Sequence, residues 1–442
     1  MGAPRPGSAR EAALLALSDC RRGGELSDRA LRRRMEEAGL DRRDTGLATR
    51  LCFGVLQNRM LCDFYIDTFS KIKARRMEEK VLDSLRLGVY QLLFLDRVPP
   101  SAAVSEAVEL ARKYSRNPRA AGLVNGVLRT LLRERDRLPA PPGLAVRYSH
   151  PQWLVGAFSS RLGDQGELEA LLQINNELCG ISIQLVPGRT APDQVRLELE
   201  AAGGIVTDHP WLPGCWQVAG LGGLERLKSF RQGAFYVQDP AARLAVTAAV
   251  HQPGWRVLDA CAAPGGKSFA AALSMDGQGE VISCDVYRRK VELLREGAKR
   301  LGLDLVHPML QDASLCREEF IHRFDLVLAD VPCSGLGVIR KKPDIRYKDP
   351  EELKGLPQLQ RAILDNVSGY VRPGGTLLYS TCTLLEEENE LVVEDFLRGH
   401  PEYGLESFSL PGPLGSSPGM LTLWPQRHGT DGFFIAKLRR QP

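Results

Sequence analysis

The chain has 442 residues, 43% of them hydrophobic and 25% charged, with a formal net charge of +4; at roughly 100–200 residues per domain it is too long for one small core, and its composition rules out wholesale disorder. No stretch reaches the ~18 consecutive apolar residues that a membrane span needs, and Arg10 and Glu11 interrupt the leading apolar run, which argues against a membrane partner and against a secretory signal. The ten cysteines form no C-x-x-C pair and the seven histidines are scattered, so no metal site is expected, and the setting reads as a reducing cytoplasm in which a thiol is either buried or chemically used.

Charge is unevenly placed. Residues 1–143 hold 27 Lys/Arg against 18 Asp/Glu, which is +9, and the remainder holds 31 against 36, which is −5. A basic front predicts a polyanionic partner, although an arginine-rich solvated surface fits the charge equally well. From Ala9 to Arg137 apolar residues recur every three or four positions, as in Val81, Leu82, Leu85, Val89, Leu92 and Leu93, which predicts an all-helical domain over 1–140. Pro99-Pro100 interrupts it and Ser101 opens a further helix. Three prolines and a glycine in 138–143 mark a boundary. Over 145–234, helical patterns at 153–163, 166–177 and 191–203 surround a strand-like 181–187 and short β-like pieces near Trp216 and Val218, which reads as a small α/β linker domain.

Residues 235–442 read as repeated βαβ units. Short apolar β-rich runs at 255–261, 280–286, 304–310, 324–330 and 374–381 alternate with helical patterns and predict a parallel sheet covered on both faces. Right-handed crossovers bring the carboxyl ends of such strands to one edge, where ligands bind. The first strand ends in Asp259 and continues through Cys261, Ala262, Ala263, Pro264, Gly265 and Gly266 to Lys267-Ser268 at a helix start. The paired glycines allow close backbone approach, and the turn is neither a Walker loop nor G-x-G-x-x-G, so phosphate cradling fits poorly. Asp285, 20 positions after Gly265, ends the second strand where an acidic side chain can hold both hydroxyls of a ribose, and Asp312 follows the third where an adenine edge would lie. Together they suggest an adenosine-bearing cofactor. The fourth strand ends in Asp330-Val-Pro-Cys333-Ser-Gly335 and the fifth in Ser380-Thr-Cys382-Thr383. A lone cysteine is usually a small buried hydrophobe, but two thiols at neighbouring strand ends beside Asp330 read as chemistry. Arg340, Lys341, Lys342, Arg346 and Lys348 follow on a long loop and read as a strip that tracks a nucleic-acid backbone.

DACAAPGGK (259–267), DVPCSG (330–335) and STCT (380–383) resemble the signature motifs of the RNA cytosine-C5 methyltransferases, the Nol1/Nop2/Sun family, over roughly 145–440. ATRLCFGVLQNR (48–59), residues 88–111 and LVNGVLR (123–129) resemble a NusB-type RNA-binding helical domain, and the combination is that of the RsmB/Sun-type branch. Two positions depart from the usual pattern: VQDPAARL precedes the last domain, and Asp-Val-Pro-Cys stands for the commoner Asp-Ala-Pro-Cys.

The resemblance implies a multidomain α plus α/β protein: a NusB-like all-helical domain, a small α/β domain that helps to bind RNA, and a Rossmann-like methyltransferase domain. It implies S-adenosylmethionine as cofactor, held by the 259–267 turn with Asp285, Asp312 and Asp330. As substrate it implies an unstacked cytosine of 16S ribosomal RNA, met by a monomer. It assigns Cys382 as nucleophile and Cys333 to product release, with Asp330 on the base at N3, and Lys267 either supports the pocket or lowers a thiol pKa by its charge. The residues by themselves leave open which cysteine attacks, since DNA cytosine methyltransferases use the Cys of a Pro-Cys dipeptide, here Cys333. They also leave open a tRNA or large-subunit rRNA substrate, and a non-catalytic antitermination-like RNA-binding factor.

Overall fold

The computed structural model describes residues 7–23, 26–249 and 252–442; residues 1–6, where the expected helical domain and the leading stretch begin, lie outside them. The chain divides into two compact units. One runs to Leu178 and takes in Ile339–Lys348, and the other comprises Cys179–Val338 and Asp349–Pro442.

The first unit is helical. Its helices are α1 (Ala9–Gly23), α2 (Ser27–Ala38), α3 (Arg42–Gln57), α4 (Arg59–Phe69), α5 (Glu79–Phe94), α6 (Pro100–Tyr114) and α7 (Ala120–Arg133), then the shorter α8 (Gly143–Arg147), α9 (Gln152–Leu162) and α10 (Gln165–Ile174). α5 runs through the middle, against α1, α3, α4, α6 and α7, and is buried without interruption from Val81 to Leu92. Its two charged core residues are answered within the unit: Arg86 donates to Asp63 through Nε and Nη2, both at 2.7 Å, and to Asp83 at 2.9 Å, so no buried charge stands alone. Neighbouring helices close in where α5 and α3 lack side chains. A Cβ on Gly88 would meet Leu128 Cδ1 at 2.5 Å, and one on Gly54 would meet the Tyr90 ring at 2.0 Å. α6 begins at Pro100 rather than at Ser101, because the first helical position needs no N–H donor and suits a proline φ.

The expected middle domain is divided. α8 packs on α4 and α9 on α8, which carries its leading helices into the first unit, while its strands belong to the second. Those strands, β1 (Ile181–Leu185), β2 (Ile205–Asp208), β3 (Cys215–Ala219) and β4 (Phe235–Val237), form an antiparallel sheet in the order β2-β3-β1-β4, with α11 (Pro192–Ala201) and the one-turn α12 (Lys228–Arg231) between them.

A larger sheet follows. α13 (Pro240–Ala249) leads into β5 (Arg256–Asp259), α14 (Gly266–Leu273), β6 (Glu280–Asp285), α15 (Arg288–Leu301), β7 (Val306–Leu310) and β8 (Phe324–Asp330). After the short α16 (Pro350–Leu353) come α17 (Leu356–Ser368), β9 (Val371–Thr381) and α18 (Glu390–Gly399). β7, β6, β5, β8 and β9 are parallel neighbours in that order, with the first strand central and the switch point between β5 and β8. Successive strand residues feed opposite faces: Val257, Val281 and Leu326 meet α13 and α14, while Leu258, Ile282 and Val327 meet α17 and α18. The sheet is mixed rather than wholly parallel. The chain returns through β10 (Tyr403–Leu405), β11 (Phe408–Leu410), β12 (Gly415–Ser417), β13 (Met420–Leu423) and the turn α19 (Pro425–His428) to β14 (Phe433–Arg440), which lies antiparallel on β9 from Phe434–Thr381 to Arg439–Thr376. α18 and then the short strands β10 to β13 make the return, which brings the chain back past the carboxyl end of β9 so that β14 pairs with it antiparallel. Phe433–Leu438 is buried throughout, Lys437 included, a mostly apolar run that sequence reasoning did not take as a strand.

Candidate active site

Four segments of the second unit meet at the carboxyl edge of the sheet. The β5–α14 turn turns on Gly265, whose φ of 114° suits glycine alone and whose added Cβ would meet the Phe269 ring at 2.3 Å. It leaves Lys267 buried at the helix start, with Nζ 2.6 Å from Asp330 Oδ2 at the end of β8. Ser380 of β9 donates to the other Asp330 oxygen at 2.8 Å. Burial by itself would lower the Lys267 pKa, but the charges of Asp330, Asp259 and Cys382 outweigh it and hold the ammonium above its usual range. The Phe433 ring lies 5.1 Å from the same Nζ.

Beside this pair the two thiols touch. Cys333 Sγ lies 3.3 Å from Cys382 Sγ, and both residues are half-buried. The contact with Cys382 and burial push the Cys333 thiol well up, with Glu388 and Asp330 adding to the rise. Backbone bonds hold the surrounding loops: Gly337 N–H donates to the Cys382 carbonyl at 2.9 Å, and Gly432 N–H to the Gly337 carbonyl at 2.8 Å. A Cβ on Gly337 would meet the Gly432 carbonyl at 2.0 Å, so the three segments approach as closely as backbone can.

Asp259 is wholly buried and accepts from Ser268 Oγ at 2.7 Å, which in turn accepts from Ser283 Oγ at 2.8 Å. Burial raises its pKa to about 6 despite the Ser268 bond and nearby Lys267. Asp285, buried at the end of β6, accepts from Tyr287 N–H at 3.1 Å and faces Lys290 Nζ at 3.4 Å. Asp312 accepts from Ser314 through both its N–H and its hydroxyl. Burial raises the Cys261 thiol.

Two family models match the sequence: 16S rRNA methyltransferase RsmB/F over residues 246–439, and the NusB family over 7–133. The probable ribosomal RNA small subunit methyltransferase B of Bacillus subtilis is 35% identical, covering 98% of this chain and 99% of its own length. The chain belongs to the RsmB/F family of 16S rRNA methyltransferases. The small subunit methyltransferase B of Klebsiella pneumoniae, 34% identical, covers 90% of each chain. Among solved structures, PH0851 matches along the whole of both chains with a TM-score of 0.80 and 27% identity. NSun6 from Pyrococcus horikoshii, solved with SFG, covers 66% of this chain and 98% of its own, with a TM-score of 0.57 and 22% identity, and shares the fold.

In this RsmB/F-family chain the structure brings Lys267, Asp330, Cys333 and Cys382 together, and sets Asp259, Asp285 and Asp312 at or just beyond the ends of β5, β6 and β7. Lys267 directs its charge at Asp330, and the Cys333 thiol is raised rather than lowered. The basic strip does not form as expected. Arg346 is fully buried in the first unit, where its guanidinium donates to Asn176 Oδ1 at 2.6 Å, to the Asn175 carbonyl at 3.0 Å, and to the carbonyls of Gln57, Tyr148 and Ser149. Arg340, Lys341, Lys342 and Lys348 are half-buried. The long loop is a 3-10 helix at Pro343–Tyr347, and this turn points Arg346 inward.

Phe433, Gln360 and Glu388-Asn389 were invisible to sequence reasoning, and Ser380 was read there only as part of a strand end and its motif, with no role. The run Glu386-Glu387-Glu388 looks like a solvated charge cluster. Glu386 and Glu387 are exposed, but the 3-10 turn rotates Glu388 into the interior. Its only signal was proximity, six positions after Cys382. Among the described residues no group of three or more His, Cys, Asp or Glu is placed to hold a metal ion, and no helix is long and apolar enough to cross a membrane.

Proposed function

We propose that this methyltransferase modifies C5 of a cytosine in 16S ribosomal RNA, with S-adenosylmethionine as donor and a covalent thiol adduct as intermediate. The observation that carries the reading is the contact of two thiols at adjoining strand ends, beside the pair of buried Lys267 and half-buried Asp330. The residues suit the cofactor. The turn at Gly265 lets the backbone pass close to the Phe269 ring at the helix start, Asp285 offers a carboxylate at the strand end where ribose hydroxyls lie, and Asp312 follows the next strand. Asp312 keeps its Oδ1 on Ser314 while doing so. When bound, S-adenosylmethionine supplies an electrophilic methyl on its sulfonium.

Cytosine C5 is a poor nucleophile until something adds at C6. Cys382 as thiolate forms a bond to C6 and makes C5 enamine-like, able to accept the methyl. N3 must take a proton as C6 is attacked. Asp330 alone would have to be protonated to give one, but its ion pair with Lys267 provides a stored proton: the ammonium delivers and Asp330 relays. Afterwards C5 gives up its proton to solvent water, the electrons of that C–H bond re-form the C5–C6 double bond, the C6–S bond breaks with its electron pair returning to the Cys382 sulfur, and N3 returns its proton to the pair. Cys333, in contact with the Cys382 sulfur, assists this release. The reducing cytoplasm read from the sequence suits a scheme with two reduced thiols, and among the described residues no cysteine is in a disulfide. The target base must leave its stack to reach them, which favours a loop or open segment of rRNA.

The test mixes Cys382→Ala and Cys333→Ser proteins with 16S rRNA and methyl-labelled S-adenosylmethionine on a denaturing gel. Cys333→Ser should leave a labelled protein-linked RNA, and Cys382→Ala should be inert. The opposite pattern makes Cys333 the nucleophile, and wild type that binds RNA but transfers no methyl overturns the enzymatic reading.

A further inference from the structure

Behind the two thiols lie consecutive buried residues that this scheme does not use, Glu388 and Asn389, at the junction of a 3-10 turn and α18. Glu388 Oε2 accepts from the Ser334 N–H and from Gln360 Nε2, both at 2.8 Å, and the same Gln360 nitrogen donates to the Pro332 carbonyl at 2.9 Å. The residues on either side of Cys333 are thereby gripped by one carboxylate–amide pair. Asn389 grips Cys382 in the same way. Thr381 Oγ1 donates to Asn389 Oδ1 at 2.5 Å, and Asn389 Nδ2 donates to the Thr383 carbonyl at 3.1 Å. A 2.7 Å contact between the Ser334 and Thr383 hydroxyls ties one gripped turn to the other, and the Tyr379 hydroxyl donates to the Glu388 carbonyl at 2.6 Å.

Two residues joined by one peptide bond cannot move independently, so the two grips share one origin. Burying a carboxylate is costly, and a neutral amide could hold a single turn at less expense. The structure therefore assigns Glu388 and Asn389 as positioning residues that jointly set the separation of the two cysteine sulfurs, Glu388 through Cys333 and Asn389 through Cys382. Their effect on catalysis rests on the proposed cysteine roles, but the placement itself does not.

Two readouts separate these levels. The first is cross-linking of the folded full-length protein by the short bifunctional thiol reagent dibromobimane, with the Cys333–Cys382 link identified by peptide mapping and Cys333→Ser as blank. Asn389→Ala and Glu388→Gln should each slow that link by roughly tenfold, as expected when a reacting atom loses its fixed position. The milder Thr383→Val, which removes the inter-turn hydroxyl contact and the bond that the same oxygen accepts from Leu385 N–H while leaving both Glu388 and Asn389 in place, should slow it less and serves if the others do not fold. Unchanged cross-linking in the folded variants overturns the inference, whatever the fate of the covalent mechanism. The second readout is the gel assay with 16S rRNA. Asn389→Ala should lose adduct formation, and Glu388→Gln should accumulate adduct because release fails. Equal loss of both steps in both variants, in proportion to a lowered melting temperature, would mark a merely structural role. If wild type forms no adduct, the covalent reading fails, and the cross-link still decides the placement.

Discussion

At the scale of single residues, the site is a set of groups whose charge states are held by neighbours. The thiol contact and burial keep Cys333 protonated, while Lys267 stays charged because Asp330 lies 2.6 Å away. Asp259 shows the cost of such a site. Its folded pKa of about 6 lies above the ordinary 3.8, so its contribution to stability is fully present below about pH 4 and is lost as pH rises through 6. The difference is worth about 3 kcal/mol. Asp259→Asn keeps an acceptor for Ser268 and removes the buried charge. It should raise the melting temperature at pH 7.5 and have little effect at pH 4, measured by thermal unfolding across that range. An equal shift at both pH values would show that desolvation of Asp259 is not the cause.

At the scale of elements, the candidate site's side chains sit where strands end and backbone crowds. The β5–α14 turn needs a glycine because φ at Gly265 is 114° and Phe269 occupies the space of a Cβ. Gly265→Ala should cost roughly 1–3 kcal/mol through strain alone. Because the ring must also shift, it should weaken S-adenosylmethionine binding more than it lowers the melting temperature would suggest. Calorimetric titration alongside thermal unfolding distinguishes the two, and wild-type affinity with a lowered melting temperature would remove this turn from the cofactor site. β14 acts on the same scale. By lying antiparallel on β9 it brings Phe433 over Lys267 and Gly432 against Gly337, contacts that a purely parallel sheet would lack.

At the scale of the whole molecule, the chain leaves the second unit at Val338, spends ten residues in the first, and re-enters at Asp349. Arg346 anchors that excursion. Burial draws its pKa down to about 10, countered only in part by Tyr347 and Asp344, yet five oxygen acceptors surround the guanidinium. Within the same unit Arg59 lies 3.4 Å over the Tyr347 ring, and Tyr347 donates to the carbonyl of Leu56 at 2.8 Å. Arg346→Ala leaves those acceptors unsatisfied around a cavity and should destabilise the first unit by on the order of 3 kcal/mol. Differential scanning calorimetry should show the transition of the helical unit falling. If Arg346 instead binds RNA at the surface, the variant would keep its stability and lose RNA affinity in a salt-dependent manner.

Along the chain most of the element types, the βαβ order and the candidate site residues were legible. Helical periodicity and apolar strand runs are local signals, and DACAAPGGK, DVPCSG and STCT are contiguous, so each announces its chemistry without reference to distant residues. Which of these groups touch follows from the packing. That Lys267 faces Asp330, that the two sulfurs meet, and that Glu388-Asn389 grips both turns depend on strand order and on the rotation of one 3-10 turn, which no local pattern encodes. The same limit turned a basic strip into a buried anchor at Arg346: charge along a chain is legible, but whether a guanidinium ends among water or among carbonyls is settled by what packs around it.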